Sequence, residues 1–107
     1  METIKIAALS VNRSYQGRRF STPALKAYKE AVSWLLPPLK VPLNKKLSVK
    51  YEFGVSSKNA DGDNLIKAFQ DILCERYEFN DRQIYHWEVR KVDVRKGTEY
   101  IRFEITS

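Results

Sequence analysis

The sequence predicts an α+β domain: two helices packed on a mixed sheet, with elements in the order βαβαββ. Three observations predict it. Residues 47–55 alternate apolar and polar side chains with a period of two. Two stretches, behind Pro23 and behind Asp63, repeat apolar residues at helical spacing. Two further strand patterns close the chain with no helical pattern between them.

The elements follow in chain order. "TIKIAAL", residues 3–9, reads as a strand with Ile4, Ile6 and Ala8 on one face. "SVNRSYQGRRFST" is polar and basic and reads as a loop. Thr22 as cap and Pro23 at the first helical position open a helix. Leu25, Tyr28, Val32 and Leu35 carry its spacing until Pro37-Pro38 stops it. Trp34, Tyr85 and Trp87 suit an interface or the core, and for Trp34 the core is expected. In "LSVKYEFGV", Leu47, Val49, Tyr51, Phe53 and Val55 share a face, the pattern of a half-buried strand. The second helix carries Leu65, Ala68, Phe69, Ile72 and Leu73 as its apolar stripe and frays near Glu75–Glu78. In "QIYHWEVRKVDV", residues 83–94, Tyr85, Trp87 and Val89 share a face. Val92 and Val94 then slip out of phase, which a bulge would absorb. Lys96-Gly97 marks a tight turn, and Ile101, Phe103 and Ile105 line one face of the last strand.

A chain of 107 residues fits one domain, residues 1–107, without internal repeat or linker. With 43% hydrophobic residues it is too apolar for a disordered chain. So short a chain buries a limited share of its surface, which favours an oligomer. The net charge of +6 points to a polyanionic partner, because neutralising phosphates releases counterions. A single cysteine, Cys74, excludes an intrachain disulfide, and with the single histidine, His86, it excludes a His/Cys metal cluster. His86 reads as a surface residue on its strand. No apolar run approaches a membrane span, and the start lacks a basic n-region, so a cytoplasmic protein is expected.

The chemistry-bearing stretch is "NADGDNLIKAFQDIL". Asp61 and Asp63 lie two apart in an extended entry to a helix, so both carboxylates point to one side. Carboxylates so placed repel, and a divalent cation removes the conflict. Mg²⁺ accepts one or two carboxylates together with waters and substrate phosphate. Lys67 lies one turn after Asp63 on the same face, either as a surface ion-pair partner or as a cation beside the metal site. Asn64 serves as a cap or as an outer hydrogen-bonding partner. Asp71 is roughly 12 Å along the helix axis from Asp63 and reads as a solvated residue. Asp81, in a polar loop before a strand, is a candidate third acid if the fold brings it to the second helix.

"DGDNLIKAFQDIL" followed by "FNDRQIYHWEVRKV" resembles the RusA family of Holliday junction resolvases over nearly the whole chain. The residues that carry the resemblance are Asp61, Asp63, Asn64, Leu65 and Lys67, then Asp81, Gln83 and Ile84, then Lys91. The resemblance implies a RusA-like fold and a small homodimeric endonuclease. Such an enzyme nicks opposing strands of a four-way DNA junction symmetrically with Mg²⁺, in recombination and repair. It implies Asp61, Asp63 and Asp81 as catalytic metal ligands and Lys67 as the catalytic lysine. Two positions depart from the pattern. Asn80 stands where many relatives carry an acid and is assigned an outer, uncharged role. Ala60 stands where relatives can carry Arg, with Lys58 nearby as its substitute. Three carboxylates carry about −3, so one Mg²⁺ leaves about −1; Lys67 or a second ion would offset it, and the spacing leaves the number of ions open. Arg13, Arg18 and Arg19, with Tyr15 and Phe20 interleaved and Lys58 beyond, are the expected DNA contacts. The same residues also suit a non-catalytic module that holds branched DNA, or a broader nuclease acting on flaps and forks.

Overall fold

The computed structural model describes residues 1–9, 15–16, 20–21, 23–57 and 62–107, and at 15–16, 20–21 and 62–64 the backbone alone. A four-stranded mixed sheet is built from β1 (Glu2–Ile4), β4 (Leu47–Val55), β5 (Ile84–Asp93) and β6 (Tyr100–Thr106) in the order β1-β6-β4-β5. The helices are α1 (Pro23–Leu35) and α2 (Gly62–Tyr77). A two-residue antiparallel ladder, β2 (Tyr15–Gln16) with β3 (Phe20–Ser21), lies where a loop was expected. The α+β class and the mixed sheet are as the sequence predicts.

The central strand is β4. It pairs antiparallel with β6 and parallel with β5. Parallel neighbours need a crossover, and α2 supplies it. Strands β5 and β6 follow one another in sequence but lie on opposite sides of β4. The turn between them contains Gly97 at φ +95°, a conformation that favours glycine.

One face of the sheet is covered by the helices. Val49, Tyr51, Phe53, Ile101 and Phe103 are buried there against Leu65, Ala68, Phe69, Ile72 and Leu73 of α2 and Tyr28 and Val32 of α1. The ring of Phe69 sits at the centre. It meets Tyr51 at 5.6 Å, Phe53 at 6.1 Å and Phe103 at 5.6 Å between centroids, each edge-on or steeply tilted. Such contacts add about 0.5–1.5 kcal/mol each beyond area burial. The opposite face is polar. There Glu52 accepts from the Tyr100 hydroxyl at 2.7 Å and faces Arg102; that hydrogen bond first, and then the guanidinium, hold its carboxyl below the usual range.

Four expectations are corrected. The first strand covers residues 2–4 rather than 3–9, and Ile6, Ala8 and Leu9 pack on the core beyond it. Trp34 is 87% exposed rather than in the core. The buried stripe of α1 runs through Tyr28 and Val32 and on to Leu36 beyond its end, and Trp34, two residues from Val32, projects from the far side. Leu35 is likewise exposed, and Leu36 takes the place expected of it. The bulge of β5 sits at its start, opposite Leu47 and Ser48, and not at the later phase slip. Beyond it the strand runs regularly to Asp93, because Tyr85, Trp87 and Val89 are exposed and no burial constraint forces the slip to be absorbed.

Phe69→Ala should remove the central ring and cost about 3–5 kcal/mol of stability, read from the denaturant midpoint. A loss below about 1 kcal/mol would show that the ring is not the keystone of this core.

Candidate active site

The end of α2 and the turn after it decide where Asp81 lies. Glu78 adopts φ +56°, the left-handed conformation of a helix C-cap. The Phe79 N–H then reaches back to the Cys74 carbonyl at 3.2 Å, closing a Schellman-type reversal. Phe79 and Ile84 are both buried, and the chain between them is a single 3-10 turn, Asp81–Gln83. Asn80 caps it: its Oδ1 accepts from the Arg82 N–H at 2.9 Å, and its own N–H donates to Gln83 Oε1 at 3.1 Å. Gln83 Nε2 donates to the carbonyls of Pro42 and Lys45, both at 3.0 Å, which pins the turn to the loop before β4. Asn80 and Gln83 therefore aim Asp81, whose side chain stays exposed.

The reversal brings Asp81 to the face of α2 that carries Lys67 and Asp71. Ile66, Lys67, Gln70, Asp71, Asp81 and Trp87 line one open concavity of about 390 Å³. Gln70 organises its wall. Its Oε1 accepts from the Trp87 indole N–H at 2.8 Å and from the Tyr51 hydroxyl at 3.1 Å, tying the edge strand to the helix through the core. Burial lifts the carboxyl of Asp71 above its ordinary range; the Lys67 ammonium pulls it back, and the charge of Asp81 adds to the rise. Burial pushes the Cys74 thiol up to about 11, with Asp81 and Asp71 contributing. Cys74, half-buried beside the concavity, is thus held as a thiol, consistent with its place in a helical pattern.

Of the sequence-predicted site residues, Lys67 and Asp81 come together. Asp63 lies in the first turn of α2, one turn before Lys67, with its side chain outside the described residues, as is that of Asn64. Asp61, Lys58, Arg13, Arg18 and Arg19 lie outside the described residues, and Tyr15 and Phe20 are described only as backbone. Among the described residues no group of three His, Cys, Asp or Glu side chains forms a metal cage. Asp71 is exposed, as expected of a solvated residue, and it also lines the concavity. It lies one helical turn from Lys67, which puts the two on the same face. Gln70 and Trp87 were also missed; only the pairing of β4 with β5 brings them within reach of each other.

The arrangement is thus a basic α+β domain in which a carboxylate and a lysine share an open concavity. Residues 9–106 match the model of the family described as Endodeoxyribonuclease RusA. The chain belongs to that family, and it is a nuclease. No curated protein matches it.

Native Cys74 should be alkylated more than about tenfold more slowly at pH 8 than in the unfolded chain, with the rate climbing as pH approaches 11. Equal rates would contradict the surroundings assigned to it.

Proposed function

We propose that the protein is a Mg²⁺-dependent, structure-selective endodeoxyribonuclease that resolves four-way junctions by paired symmetric nicks. It acts as a cytoplasmic homodimer in recombination and repair. The observation that carries this reading is the meeting of Asp81 and Lys67 in one concavity, within a chain whose residues 9–106 match the family.

The donor set fits a hard divalent cation. Asp81 and Asp71 offer only carboxylate oxygens, Cys74 is held as a thiol, and His86 lies on the strand away from the concavity's lining. Asp61, Asp63 and Asp81 are assigned to hold the ion, in one or two copies. Bound there, it supplies Lewis-acid polarisation of the phosphodiester and acidifies water. The chain's own groups do the rest. The Lys67 ammonium offsets the carboxylates, so that a phosphodiester can approach, and stabilises charge developing on the phosphate oxygens. Asn80 and Gln83 keep Asp81 aimed, and Trp87, held by its hydrogen bond to Gln70, forms one wall. Asn64 and Asn80 act as outer, uncharged partners. Arg13, Arg18, Arg19 and Lys58 neutralise backbone phosphates, and Tyr15 and Phe20 contact bases opened at the branch point.

The reading is tested on a synthetic four-way junction, a duplex and a flap, each with Mg²⁺ or chelator. Paired nicks on the junction alone, lost on chelation, are expected. Retained binding without any cut would assign a non-catalytic module, and equal cutting of the flap would assign a broader nuclease.

Asp61→Asn, Asp63→Asn and Asp81→Asn should each keep junction binding and lose cleavage by at least about a hundredfold. Lys67→Ala should slow single-turnover cleavage on the order of a hundredfold with junction affinity little changed. Full cleavage by any Asp variant would remove that residue from the site.

A further inference from the structure

Resting on the homodimeric reading above, we propose that the outer edge of β5 is the dimer interface. It pairs antiparallel with the same strand of a second copy, about a two-fold axis at Val89.

The two edges of the sheet differ. One ends in the three-residue β1; the other is the ten-residue β5. Among the described residues β5 has a strand neighbour on one side only, β4. Its outer N–H and C=O groups therefore form a ready template for another strand. It also exposes three large apolar side chains, with Tyr85 66%, Trp87 44% and Val89 36% exposed. The edge also carries charges of both signs, Glu88, Arg90, Lys91 and Asp93, which a second copy in the right register can match rather than repel.

Self-pairing about an axis perpendicular to the sheet must centre on a residue, because opposed side chains must share a face. The charge pattern selects the centre. A centre at Glu88, Arg90 or Lys91 sets like charges directly against each other, which is destabilising. A centre at Trp87 opposes the buried Ile84 to Arg90 and leaves the far end of the strand unpaired. A centre at Val89 sets Glu88 opposite the partner's Arg90, and Arg90 opposite the partner's Glu88, on the polar face. On the helix face it sets Trp87 opposite the partner's Lys91, with Val89 against its own copy. The exposed run from Tyr85 to Asp93 is then paired throughout. Arg90 touches Glu52 only at 3.9 Å and its side chain is 72% exposed, so it has donors to spare.

The faces follow from the register with β4. Trp87, Val89 and Lys91 pair with Val49, Tyr51 and Phe53, which face the helices, while Glu88 and Arg90 pair with Lys50 and Glu52 on the polar face. The two-fold axis keeps both helix layers on one side of a continuous eight-stranded sheet. Both concavities, each walled by Trp87, then open on that side and flank the axis. A four-way junction, itself two-fold, meets both at once.

The test uses the full chain. Sedimentation should give twice the 12.5 kDa chain mass. Glu88→Arg should weaken the dimer on the order of tenfold or more, because each change counts twice across the axis, and adding Arg90→Glu should restore it. In a Cys74→Ala background, Val89→Cys should cross-link to a covalent dimer under mild oxidation, since residues opposite themselves lie within disulfide reach. A monomeric wild type, a dimer indifferent to both charge changes, or a dimer that does not cross-link at position 89 would each overturn the interface. Junction nicking is read separately. A cross-linked dimer that never nicks refutes the nuclease reading and leaves the interface standing; a nicking dimer that fails to cross-link refutes the interface alone.

Discussion

The structure depends on the crossover that carries the chain from β4 through α2 to the parallel strand β5, and on Phe69 as the contact that holds it. Parallel pairing gives no hairpin to fix the register of β4 and β5, so the intervening helix must be anchored on the sheet. Phe69 provides the anchor with three aromatic neighbours, two on β4 and one on β6. Once α2 is seated, its exposed face is aimed past the edge of β4 toward β5. Gln70 then bridges Tyr51 in the core to Trp87 at the edge. Core, helix and site wall share that one glutamine.

The site inherits its geometry from the helix ends. The first turn of α2 carries Asp63, and the reversal after its last turn returns the chain with Asp81. Two local devices make that return definite: the left-handed Glu78 and the Asn80–Gln83 capping box. The family pattern of Asp followed two residues later by Gln gains a physical meaning from this. Gln83 fastens the turn to Pro42 and Lys45, next to the acid.

Much of this was legible in the sequence, for definite reasons. The strand 47–55 and the stripe Leu65, Ala68, Phe69, Ile72, Leu73 were read correctly because each buries one full face, and burial imposes a clean period. Trp34 is exposed because its angular position on α1, away from Tyr28 and Val32, outweighs its hydrophobicity. In β5 the period was visible but its meaning was not: Tyr85, Trp87 and Val89 form an apolar stripe that lies at an edge rather than under a helix. Strand order is a long-range property, so neither the insertion of β6 beside β4 nor the place of Asp71 beside Asp81 is written in local spacing.

The central claim is that Asp81 joins Asp61 and Asp63 around one cation site beside Lys67. The most direct measurement is an anomalous difference map from a crystal grown or soaked with Mn²⁺ as a stand-in for Mg²⁺. The account predicts a peak within coordination distance of carboxylate oxygens from Asp81 and from at least one of Asp61 and Asp63, with Lys67 close by. A peak held without Asp81, or no peak near these acids in a protein that still cuts junctions, would contradict it.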